Sequence, residues 1–120
     1  MSTLLDVKLD PALAFIYQLV TEKSFSNRDA YEKYIERMIK YAKVEQVRLP
    51  ESNIYTRLTP EKYTTWVDDM FMGIPFLIQA SQYVGTPEER KLFLDDAANQ
   101  AVLFNDQVWD KDANLYMHAK

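Results

Sequence analysis

Val84-Gly85-Thr86-Pro87-Glu88-Glu89 closes one apolar helix and opens another. Gly suits a helix end. Thr is a strong N-cap, Pro fits the first helical turn, and a Glu three residues after the cap completes a capping box. Downstream, Leu94, Ala97, Ala98, Ala101, Phe104 and Val108 recur at helical spacing and predict a helix near 87–107 with an inner apolar stripe. Upstream, the apolar run through Phe71, Phe76 and Leu77 predicts a helix ending near Tyr83. Two helices across so short a joint make an α/α hairpin.

Two starts compete for the upstream helix, placed near 64–83. Thr59-Pro60 is a cap followed by Pro, and Thr65-Trp66-Val67-Asp68 is a second cap candidate. Pro75 sits inside the run, removes an N–H from the Phe71 carbonyl and predicts a kink. Further back, Tyr31, Tyr34, Ile35, Met38, Ile39 and Ala42 form an unbroken stripe opposite charged residues, which predicts a half-buried helix near 27–43. Ser26 and Asp29 have capping-box spacing at its start. Asp10-Pro11 opens a first helix near 11–23, with Leu13, Ile16, Tyr17 and Val20 in phase.

Between the hairpins the helical period fails. Pro50 and Pro60 punctuate the stretch, Glu51-Ser52-Asn53 reads as a turn, and 44–49 and 54–58 read as short extended pieces. A hairpin-like loop around 44–60 is long for a small chain, and long ordered loops are often functional. After the last helix, Asp110 to Asn114 reads as a turn and Leu115 to His118 as an extended tail. The fold class is all-α, built of consecutive α/α hairpins, each needing neighbours to cover its apolar face.

Composition limits the chemistry. The 120 residues carry no Cys, two Gly, one His and a net charge of −4, with 48% apolar residues. Disulfides, Cys-ligated zinc and thiol nucleophiles are excluded, and one His argues against a multi-His metal site. Two glycines make no phosphate loop. The acidic balance argues against nucleic acid as a partner. No apolar run reaches the roughly 18 residues that span a bilayer, so no membrane partner is expected. Met1 to Asp6 has no secretory pattern, and the location is left open, cytoplasmic or periplasmic in a bacterium.

The densest chemistry lies in Thr64-Thr65-Trp66-Val67-Asp68-Asp69-Met70-Phe71-Met72-Gly73-Ile74-Pro75. Adjacent carboxylates flanked by large apolar residues have two readings. One of them caps the helix start, or one stands beside an aromatic wall as a general acid. An apolar wall favours the acid and a helix N-terminus the carboxylate, and sequence does not order the two. Trp66 is core or a sugar-stacking platform. Thr64, Asp68 and Met72 share a face if the helix already covers Thr64.

Arg57, the block from Thr65 to Pro75, and Asn114-Leu115-Tyr116-Met117-His118 together resemble glycoside hydrolase family 105, the unsaturated rhamnogalacturonyl hydrolases, related to the unsaturated glucuronyl hydrolases of family 88. The resemblance runs from about Leu9 to His118 and implies a partial (α/α)6 toroid over residues 1–120, about a third of the family's domain. It implies a glycosidase without cofactor or metal, acting on pectin-type oligosaccharides that end in a 4,5-unsaturated uronic acid. Asp68 would be the general acid/base for hydration of the enol ether. Trp66 and Met72 would shape the sugar pocket, and His118 would contact substrate or water. Asp10 is the nearest match to a second family Asp, but also a plain N-cap. Arg57 stands where the family often has a His, and is either a partner for a substrate carboxylate or a solvated loop residue. A chain of this length is expected to be inactive alone and to self-associate through exposed apolar faces. The alternatives are a non-enzymatic α-helical interaction module and a hydrolase of glycosaminoglycan type.

Overall fold

The computed structural model describes residues 16, 18, 19, 21, 22, 27–58 and 62–120. Asp10, the Ser26 half of the expected capping box and the Thr59-Pro60 start lie outside them, as does most of the helix expected near 11–23. Its described residues Ile16, Gln18, Leu19 and Thr21 are helical, and Ile16 and Leu19 are buried.

Helix α1 spans Arg28–Lys40 and runs on into a π-helical turn, Tyr41–Glu45. Its N-cap is Asn27 in the left-handed region, φ 63°, a conformation Asn tolerates better than most residues. Arg28 reaches back to the carbonyls of Leu19 and Glu22, at 3.2 and 3.1 Å. Ile35, Met38 and Ala42 are buried, and Tyr31, Tyr34 and Ile39 pack against the core from its edge, as the apolar stripe requires.

Helix α2 spans Val67–Tyr83 and helix α3 spans Pro87–Val108. Thr86 caps α3 by accepting the Glu89 N–H at 3.2 Å. The helical assignment continues through Pro75, and Phe71, whose carbonyl loses the Pro75 donor, lies on the solvent side at 60% exposure. The start at Val67 leaves Thr64 outside the helix, so Thr64 shares no helical face with Asp68 and Met72. Thr64 instead pairs with Arg57 in an antiparallel bridge.

Phe76, Leu77 and Ala80 of α2 meet Phe93, Ala97 and Phe104 of α3 in one core. Each fully buried large side chain there contributes roughly 1.5–3 kcal/mol. The inner stripe of α3 differs in phase from the expected one. It consists of Phe93, Ala97, Gln100, Phe104 and Val108, while Leu94, Ala98 and Ala101 face outward. Gln100 is drawn inward by hydrogen bonds. Its carbonyl accepts the Tyr55 N–H at 2.9 Å, and its amide donates to Asn53 and Asp96.

The connection from α1 to α2 runs through the interior. Ile54, Tyr55, Thr56 and Arg57 are all buried. Buried backbone groups need partners, and bridges Arg48↔Tyr55 and Arg57↔Thr64, with Gln46 and Gln100, supply them. After α3, β1 (Trp109–Asp110) pairs antiparallel with β2 (Leu115–Tyr116). Asp110 Oδ1 accepts the Asp112 and Ala113 N–H groups and shapes the turn. The tail then lies along the entry to α2. Thr65 and Lys120 exchange two backbone hydrogen bonds of 2.7 Å, and Val67 N–H donates to the His118 carbonyl at 2.9 Å.

Candidate active site

The first turn of α2 sorts its two carboxylates by direction. Consecutive helical residues point about 100° apart. Asp69 faces inward and is fully buried, while the Asp68 side chain is 52% exposed. Neither caps the helix. Trp66 occupies the N-cap position in an extended conformation and gives no side-chain cap. What favours two acids here is the positive end of the helix and a cation beneath Asp69.

That cation is Arg57. Its Nε donates to Asp69 Oδ2 at 2.9 Å and its Nη2 to Asp69 Oδ1 at 2.8 Å. Both residues are buried. Arg57 is therefore not a solvated loop residue, and two of its donors grip a carboxylate of the protein itself. The Arg57 Cζ also lies 4.4 Å from the Trp66 ring centroid, within cation–π range.

Trp66 passes the contact on to the tail. The His118 ring stands edge-on to the indole, centroids 4.7 Å apart and planes at 81°. His118 Nε2 lies 3.7 Å from Asp68 Oδ2. That distance exceeds a hydrogen bond and becomes an ion pair when the imidazole is protonated. Trp66, Asp68 and His118, three residues marked in the sequence, thus meet on one surface. Trp66 Nε1 is buried without a hydrogen-bond partner among the described residues. Met72, one turn beyond Asp68, packs against the core.

The negative charge of Asp69 reaches further inward. Burial first, then Asp69 and Glu45, push the Tyr41 phenol up to about 12. Its hydroxyl donates to Gln46 Oε1 at 2.6 Å. The role of Asp69 as the arginine partner escaped the sequence reading, because the pair joins a loop to a helix with no local spacing to mark it.

Two surface clefts lie elsewhere. One, of about 570 Å³, opens between Leu19, Arg28, Glu36, Tyr83 and Glu89. The other, of about 520 Å³, opens between Lys43, Arg48, Leu92, Phe93 and Asp96. Neither is lined by Trp66, Asp68 or His118. Among the described residues no group of three or more His, Cys, Asp or Glu is placed to hold a metal ion. None of the described helices is long and apolar enough to cross a membrane.

The model of the family described as Glycosyl Hydrolase Family 88 matches residues 8–120, a span that contains the whole cluster. A search of the curated proteins finds no match.

Proposed function

The chain belongs to glycosyl hydrolase family 88, and from that premise we propose that Asp68 is its general acid/base, with His118 and Trp66 as its immediate neighbours at the sugar. Membership makes it a glycosidase of unsaturated uronic acid substrates. The observation that carries the residue assignment is the meeting of Asp68, His118 and Trp66, with His118 Nε2 3.7 Å from a half-exposed Asp68 carboxylate. An interaction module that kept the motif only as core would bury Asp68, leave no cleft beside Trp66 and scatter the three. The exposure of Asp68 and the meeting of the three support the enzyme, while neither of the two surface clefts is lined by them.

The chemistry needs one carboxyl group used twice. Asp68 gives its proton to C4 of the 4,5 double bond, and the ring oxygen stabilises the charge at C5. The carboxylate left behind takes a proton from water as that water bonds to C5. The hemiketal then opens to a ketone, C1 becomes a hemiacetal, and the aglycone alcohol departs. The separation of two carboxylates that governs ordinary glycosidases plays no part. His118 touches the water or a substrate hydroxyl, and the Trp66 indole offers a face or edge to the sugar ring. The α2–α3 hairpin suits one unit of an (α/α)6 toroid.

The resemblance of the Thr65–Pro75 block to family 105 supports a rhamnogalacturonan-derived disaccharide as substrate. The family 88 match favours a second reading, a glycosaminoglycan-type unsaturated glucuronyl disaccharide. Loss of enol-ether absorbance with each sugar separates them. Asp68→Asn should lower turnover by about 10²-fold or more, with the unfolding midpoint unchanged. Equal turnover by Asp68→Asn and the parent would remove Asp68 from the mechanism. A parent that neither consumes either sugar nor shows any change in tryptophan emission on their addition would overturn the functional reading itself.

A further inference from the structure

We infer that Arg57 and Asp69 are positioning residues for the site, a buried pair whose task is to fix the Trp66 indole and, through it, the place of His118 beside Asp68. The inference rests on the reading of Asp68 as the acid/base.

Five side chains form a closed circuit. Asp69 grips Arg57 with two hydrogen bonds of 2.9 and 2.8 Å. Arg57 lies against Trp66 at 4.4 Å, Trp66 against His118 at 4.7 Å, and His118 against Asp68 at 3.7 Å. The circuit begins and ends on neighbouring residues of one helical turn. Its inner half is fixed, since the Arg57 and Asp69 side chains are 8% and 0% exposed. Its outer half is solvated, with the His118 and Asp68 side chains at 66% and 52%. An exposed imidazole has many rotamers open to it, and the contact with the indole is what narrows them. The indole in turn has its Nε1 unpartnered, so among the described contacts no hydrogen bond anchors that atom. The Arg57 guanidinium beneath the ring does the anchoring, and a bidentate grip by Asp69 stops that guanidinium from turning.

Lysine keeps the charge but loses both the fork and the planar stack. His118 is the chain's one histidine, so its ring protons are unambiguous in a proton NMR spectrum, and the nearby indole displaces them from their solvated positions. Trp66→Leu defines the undisplaced position. Arg57→Lys should keep cooperative thermal unfolding and move the His118 signals to the Trp66→Leu position. Where sugar turnover is present, kcat should fall about 10- to 100-fold, with KM changed far less. The double variant Arg57→Met/Asp69→Leu removes both charges, leaves none buried and unpaired, and should give the same His118 shift. It carries the test if Arg57→Lys fails to unfold cooperatively. A cooperatively folded Arg57→Lys or double variant that keeps the parent's His118 signals overturns the inference. The two failures are distinct. An active parent indifferent to Asp68→Asn sinks the acid/base assignment, while the His118 signals judge the pair without any turnover.

Discussion

Arg48 and Arg57 leave the same loop, each grips a carboxylate with two donors, and each lies over an aromatic ring. Arg48 binds Asp96 with two hydrogen bonds of 2.9 Å and sits 4.5 Å from the Tyr55 centroid. Arg57 does the same with Asp69 and Trp66. The surroundings differ. Arg48 also donates to the carbonyls of Ala42 and Asn53, and Tyr55 donates to the Ala42 carbonyl as well. That network closes on itself and ties the loop to α3. Burial works most strongly against the charge of Arg48, but the hydrogen-bonded and charged Asp96 and the Tyr55 phenol together outweigh it, so its affinity for the proton is raised. The Arg57 network instead opens to the surface through Trp66 and His118. The same local device thus serves as an anchor in one place and as a brace for chemistry in the other.

The comparison breaks most sharply at Asp69. Asp69→Ala leaves Arg57 buried beside a missing partner and should cost about 3–5 kcal/mol, read as a lower urea midpoint. Asp96→Ala should cost less, about 1.5–3 kcal/mol. Arg48 retains its two carbonyls, and its side chain is already 14% exposed against 8% for Arg57. A larger loss at Asp96 than at Asp69 would show that depth of burial does not rank the two pairs.

The smallest effect concerns Tyr41, which lies between the two regions. Burial, then the charges of Asp69 and Glu45, push the Tyr41 phenol up from its ordinary 10.0 to about 12, so the folded state holds the phenolic proton more tightly. Its contribution is intact below pH 10 and is lost as pH climbs from there towards 12. Tyr41→Phe should flatten that alkaline decline in urea midpoint, on a lower baseline because Gln46 Oε1 loses its donor. Part of the decline persists through Tyr55, also raised by burial.

Local signals in the sequence translated well where one residue decides one feature. Thr86 caps α3, the α1 stripe faces the core, and the residues singled out around Trp66 and His118 do converge. The phase of α3 was not legible. Alanine fits either face, and Gln100 is buried only because the loop presents an N–H and carbonyls to it. The interior course of residues 54–57 escaped as well, since part of its pairing comes from the Gln46 and Gln100 side chains, which no local spacing marks. The partner of Arg57 was invisible because a buried fork needs a carboxylate in space, and Asp69, well along the chain from Arg57, carries no mark of its inward direction. Asp10 lies outside the described residues.

The tail's bridge to the entry of α2 has a consequence for the order of events. Asp68 and His118 sit at the two ends of a closed loop that encloses all of α2, α3 and the β1–β2 hairpin. Bringing such ends together costs chain entropy that only the completed packing between them offsets. The acid and the imidazole therefore come together late, and their proximity is a readout of whether everything between them has folded. Since backbone groups make the closure, sequence drift in the tail's neighbouring side chains leaves it in place, while a frayed end would separate the pair without touching either residue.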